Sequence, residues 1–198
     1  DIWHTILAVR KIPTLGVMIV LSGAASFFVG SSYQAQMPGF ATDFGGIEPG
    51  LSYAMLLAAD AAGALFAGIV LEVGMRGMRI TPLTAMSFAL GWAVALACFA
   101  LTHNYPAALL CLFAAGFCEL SFSSMNQTIV QMKAPNGIRG KVLGLFGMSS
   151  AGLRLFSGIF VGLIGSQIGI HWSLFSATAI FMAVTLGLIY LTSKSAKA

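Results

Sequence analysis

Six long apolar stretches, each broken from the next by a short polar, glycine- or proline-bearing segment, constrain this chain more than any other feature. Reading them off the sequence predicts spans at 14–37, 51–71, 81–101, 107–132, 141–165 and 172–192. A helix needs about 20 apolar residues to cross the hydrocarbon core of a bilayer, and every stretch reaches that length. The breaks are Pro38-Gly39 through Pro49-Gly50, Arg76-Gly77-Met78-Arg79, His103-Asn104-Tyr105-Pro106, Lys133-Ala134-Pro135-Asn136-Gly137 and Gln167 to His171. Composition agrees. Only 8% of the 198 residues are charged and the mean hydropathy is +0.92, whereas an ordinary soluble domain carries about 25% charged residues. The solvent around most of this chain is therefore expected to be lipid. The runs are twice as long as a tilted barrel strand requires and show no alternation, so they read as helices. The predicted fold class is all-α, a single six-helix membrane domain over residues 1–198. Small residues four apart, Ala64 with Gly68 and Gly158 with Gly162, suit close helix contact in lipid.

Charge placement fixes an orientation. Nine of the ten Lys and Arg residues (Arg10, Lys11, Arg76, Arg79, Lys133, Arg139, Lys141, Lys194 and Lys197) fall on one side, and the loops of the other side have none. By the positive-inside rule both termini are cytoplasmic, and an integral location in a bacterial inner membrane is expected. The basic residues form no patch with stacking aromatics, so nucleic acid is not an expected partner. Cys98, Cys111 and Cys118 all lie within apolar runs. Cys111 and Cys118, seven positions apart on one helix, stand roughly 10 Å apart along its axis, too far to bridge. No histidine neighbours a cysteine in sequence, and no phosphate loop, zinc signature or haem motif is present. No metal, no cofactor and no enzymatic activity are expected.

Three ionisable residues sit inside spans: Asp60 in the second, Glu119 in the fourth and Arg154 in the fifth, each near the middle of its helix. A charge at the bilayer centre costs about 2.5–3.5 kcal/mol on insertion scales, so each should face protein or a watery cavity and seek a partner. The third and sixth spans carry no charge and are free to face lipid. On the fourth span Glu119, Ser123, Asn126 and Gln127 fall within about a third of the helix circumference, a polar stripe running from midplane toward the basic side. Tyr33 and Gln34 stand at the polar outer end of the first span. Two readings fit these residues. One is a transport cavity lined by spans one, two, four and five, with Asp60 or Glu119 exchanging protons. The other is a buried ion-pair and hydrogen-bond network that locks the bundle, in which Asn126 and Gln127 act as glue between helices.

Three local motifs resemble those of the major facilitator superfamily of secondary transporters. Gly68 to Arg76, with Glu72 four residues after the glycine and Arg76 four after that, resembles the superfamily's cytoplasmic loop signature without its arginine directly after the acid. Gln131-Met132-Lys133-Ala134-Pro135-Asn136-Gly137-Ile138-Arg139-Gly140-Lys141 resembles the loop of the drug- and siderophore-exporter branch, and Met37-Pro38 resembles the proline that closes the corresponding helix there. The resemblance implies the carboxy-terminal half of such a transporter, built as two inverted three-helix repeats. It implies a second six-helix half as partner, from an amino-terminal half, a separate chain or a second copy. It further implies proton-coupled export of a small organic molecule, with Glu72, Arg76 and Arg139 in conformational loops. The competing expectation is a non-transporting membrane subunit or assembly factor that uses the half-fold as a docking scaffold.

Overall fold

The computed structural model describes residues 2–30, 32–44, 49–74, 80–157, 165 and 167–195. Arg76 of the expected loop signature and the Gly158–Gly162 pair lie outside them. Helices dominate the described residues: α1 (Ile2–Arg10), α2 (Pro13–Ala24), α3 (Ser32–Asp43), α4 (Pro49–Gly74), α5 (Pro82–Leu101), α6 (Tyr105–Lys133), α7 (Arg139–Gly147) and α8 (Ile170–Ser195). Five segments are long and apolar enough to cross a membrane: Pro13–Asp43, Gly50–Val73, Pro82–Leu101, Tyr105–Lys133 and Ile170–Lys194. They match five of the six predicted spans. The remaining one, expected at 141–165, is helical from α7 through residue 157, and most of its later part lies outside the described residues.

The helix starts follow from local chemistry. Proline stands in the first turn of α2, α5 and α6, where its missing N–H costs nothing. The Thr81 hydroxyl accepts from the Thr84 amide at 3.2 Å, and Asn104 Oδ1 accepts from Ala107 at 3.5 Å, capping α5 and α6. Helix α6 is the central post: α4 and α5 pack along it, and α8 packs on α5. Helix α5 buries Trp92, Leu96 and Phe99 on one face and exposes Leu83, Val94 and Leu101 on the other.

The first span differs from its expected form. It does not close at Pro38, because Pro38 lies inside α3, which runs on to Asp43. The extension is held by Phe40, fully buried with its ring 4.7 Å from those of both Phe99 and His171. The break falls earlier. A π-helical segment, Ala25–Val29, ends at Gly30 with φ +45°, in the left-handed region that favours glycine. A second π segment, Met148–Gly152, interrupts the fifth span and packs against the first. The Ser149 hydroxyl donates to the Ile19 carbonyl at 3.0 Å, and the Ser26 hydroxyl donates to the Ser150 carbonyl. The second of these bonds joins the two irregular segments directly, and the first ties Met148–Gly152 to α2.

Candidate functional site

The crossing of α4 and α6 sets the site. Gly63 and Gly116 let the two backbones meet: a Cβ on Gly116 would stand 2.9 Å from the Asp60 carbonyl carbon, and one on Gly63 would stand 2.8 Å from that of Phe113. This is the close approach that membrane helices reach through small residues, and it brings Asp60 of α4 beside Glu119 of α6.

Tyr33 of α3 joins them. It is fully buried, and its hydroxyl lies 2.9 Å from Glu119 Oε2 and 3.2 Å from Asp60 Oδ2. Gln34 Nε2 reaches Asp60 Oδ2 at 3.4 Å. Arg154 Nη2 stands 3.9 Å from Glu119 Oε1, the outer limit of an ion pair. That guanidinium is half-exposed while Asp60 is buried. Spans one, two, four and five thus all contribute to a single cluster, the first through both Tyr33 and Gln34.

The hydrogen-bond inventory shows what this cluster can do. A phenol has one proton to donate, and two carboxylates face it. With both carboxylates ionised, Tyr33 serves only one. With one proton added to the pair, a carboxyl O–H donates to the phenol oxygen and the phenol O–H donates to the other carboxylate. The pair then carries one negative charge opposite Arg154. The arrangement therefore accommodates exchange of one proton without leaving a hydroxyl unpaired.

The stripe expected on α6 divides in two. Ser123 and Gln127 are exposed on the same side as Arg154, but Asn126 is buried and its Nδ2 donates to the Met18 carbonyl at 3.2 Å. Asn126 ties α6 to α2, in the interhelical role the sequence left open. Glu72 and Arg139 are exposed at the basic end, and no ion pair joins them among the described residues. Sequence reasoning missed a second cluster at the opposite end. His171 Nε2 lies 3.4 Å from Asp43 Oδ2, its Nδ1 lies 2.6 Å from the Ala100 carbonyl, and its ring is 5.5 Å from that of His103. The three cysteines are free.

A bundle of membrane-length helices with a polar, charged cluster between them defines an integral membrane protein. A family model described as transmembrane secretion effector, of the major facilitator type, matches residues 11–198. The chain belongs to that family, and it is a membrane transporter of the major facilitator type. No curated protein and no solved structure matches it.

Proposed function

We propose that this chain is the carboxy-terminal half of a proton-coupled exporter of a small organic molecule, built as two inverted three-helix repeats and working by alternating access. Its basic end and both termini lie in the cytoplasm of a bacterial inner membrane. The face carrying Gln34, Glu119, Ser123, Gln127 and Arg154 turns toward a second six-helix half, and substrate binds between the two. The observation that carries this reading is the single Tyr33 hydroxyl shared by two mid-depth carboxylates. A merely structural ion pair would need one acid for one base, whereas this cluster holds two acids, one base and a proton donor between them.

Glu119 is the proton-exchanging group, because it touches both Tyr33 and Arg154. Substitution Glu119→Gln keeps size and hydrogen bonding but removes titration. In proteoliposomes containing both halves, it should abolish uphill flux driven by a proton gradient and spare substrate binding. Undiminished uphill flux by Glu119→Gln would show that the cluster only holds the bundle together.

A further inference from the structure

The histidine cluster at the end opposite the basic residues plays no part in the proton exchange assigned to Glu119. It joins the last residue of α3, the carbonyl end of α5 and the start of α8. Asp43 is that last residue, and the same helix carries Tyr33 near its start, just beyond Gly30. The helices meet closely here, since a Cβ on Gly39 would stand 3.0 Å from Ile170 Cδ1. Phe40 and Phe44 pack on Phe99 of α5, at ring distances of 4.7 and 6.4 Å. Beside these apolar contacts, Asp43 with His171 is the one ion pair that reaches the end of α3 among the described residues.

Proton inventory decides what this pair does. His171 Nδ1 lies 2.6 Å from the Ala100 carbonyl oxygen. A carbonyl can only accept, so Nδ1 carries the hydrogen, and in a neutral imidazole the other nitrogen then has a lone pair and no proton. That nitrogen, Nε2, faces Asp43 Oδ2 at 3.4 Å. The neutral ring thus presents a lone pair to a carboxylate. Uptake of one proton from solvent at Nε2 draws the two together in a charge-assisted hydrogen bond, with the bond to Ala100 kept. His171 is therefore tied to α5 in both states and to α3 in only one. The His103 ring, exposed on the turn after α5, is 5.5 Å from that of His171, and as a second cation it would oppose the charge there. Tyr105 directs its hydroxyl to the Ser52 carbonyl at 3.0 Å. Glu48 lies outside the described residues. The loops at this end contain no lysine or arginine to compete for Asp43.

We propose that His171 is a proton-operated latch, which fastens the far end of α3 to α5 and α8 when protonated and releases it when neutral. Histidine is the side chain whose charge ordinarily changes between about pH 5 and 8. The latch therefore answers to the water on its own side of the membrane, closing as that side acidifies and opening as pH rises. Asp43 is half-exposed, so it turns to water when the ring loses its charge. For the same reason the pair shifts the opening equilibrium of α3 by about two- to fivefold, the range of an exposed ion pair. The latch stands on this geometry alone. Under the exporter reading it also sets how freely the helix carrying Tyr33 moves.

Amide hydrogen exchange of the whole chain in lipid nanodiscs tests the latch without any transport assay. The reporter is the last turn of α3, including the Phe44 amide, which donates to the Phe40 carbonyl at 3.1 Å. After correction for the intrinsic pH dependence of exchange, protection of that turn reads its local opening. It should fall about two- to fivefold from pH 6 to pH 8, while protection of α2, in the same span, stays constant. His171→Gln and Asp43→Asn should each abolish the pH dependence, and His103→Gln should leave it in place. Protection in the unaltered protein that ignores pH, or that changes equally in α2, would overturn the latch with no variant needed. A pH dependence that survives in Asp43→Asn would overturn the pairing, and one that disappears in His103→Gln would overturn His171 as the group that operates it. None of these outcomes depends on uphill flux, so the latch and the exporter reading fail separately.

Discussion

Adding one methyl group at Gly116 should break the cluster from below. In Gly116→Ala the new Cβ would lie 2.9 Å from the carbonyl carbon of Asp60, and closer still to its oxygen. Carbon atoms rest at about 3.5–4.0 Å, so α4 and α6 must separate by roughly 1 Å. Both contacting atoms are backbone, so no side-chain rotation can relieve the clash. The same movement would carry Asp60 from 3.2 Å to about 4 Å from the Tyr33 hydroxyl, beyond hydrogen-bonding distance. Overpacking of this kind costs about 1–3 kcal/mol, which for a chain of this size corresponds to a fall of several degrees in Tm, roughly 2–4 °C for each kcal/mol. Thermal unfolding in detergent, followed by tryptophan fluorescence, would measure it. Gly144→Ala is the control, because a Cβ at Gly144 meets nothing within 4 Å and alanine is the better helix former. Equal melting temperatures for Gly116→Ala and Gly144→Ala would refute the argument that backbone contact at this crossing sets the site.

Tyr33→Phe removes the one hydroxyl that both carboxylates share and should cost about 1–3 kcal/mol, with uphill flux lost in reconstituted protein; wild-type flux would show that Tyr33 is not in the proton path. Arg154→Gln takes away the only cation beside Glu119 among the described residues, and should weaken binding of anionic substrates more than neutral ones in a direct binding assay. His171→Ala deletes the contact to the Ala100 carbonyl and the packing on Phe40, and should lower stability by roughly 1–2 kcal/mol, read as an earlier thermal transition with transport direction unchanged.

The spans were legible because lipid imposes a simple rule, that a crossing helix must be long and apolar; four appear within a few residues of where the sequence places them, and a fifth, the first, overruns its expected end by six. The mid-depth charges were equally legible, since the cost of burying them forces them together. Tyr33 was not. It reads as one of several polar residues at the wet outer end of a helix, and only the π segment and the turn at Gly30 rotate it inward. A π turn adds a residue to the repeat, so helical periodicity counted from the first half of the span fails in the second. Pro38 misled for a related reason: a proline costs a helix one hydrogen bond, and the buried Phe40 beyond it more than offsets that loss. Ala64 and Gly68 satisfied the small-residue spacing within one helix, yet the crossing uses one glycine from each of two helices, a pairing that no single helix displays.

The division of labour among the spans bears on how such a site would respond to helix movement. The proton donor sits on α3, beyond an irregular segment and a glycine with positive φ, while both carboxylates sit on α4 and α6, which are held together by glycine contact. The acids are thus fixed to one another, and the donor is attached to the broken helix. Its two hydrogen bonds, at 2.9 and 3.2 Å, are each lost with about 1 Å of travel. Under the proposed cycle, a small swing of α3 about Gly30 would therefore decide which carboxylate Tyr33 serves, and the acid left without it would be the one to take up a proton. Gly30→Ala tests this hinge. Alanine is strained at φ +45°, and its Cβ would collide with Ser157, whose side chain is buried there. The variant should shift α3 and separate Tyr33 from the acids. Cysteines at Gln34 and Ala61, cross-linked by reagents of graded length, would then join at a different length from the parent pair. Identical cross-linking profiles would show that Gly30 is no hinge, and that Tyr33 is held in place by the rest of α3.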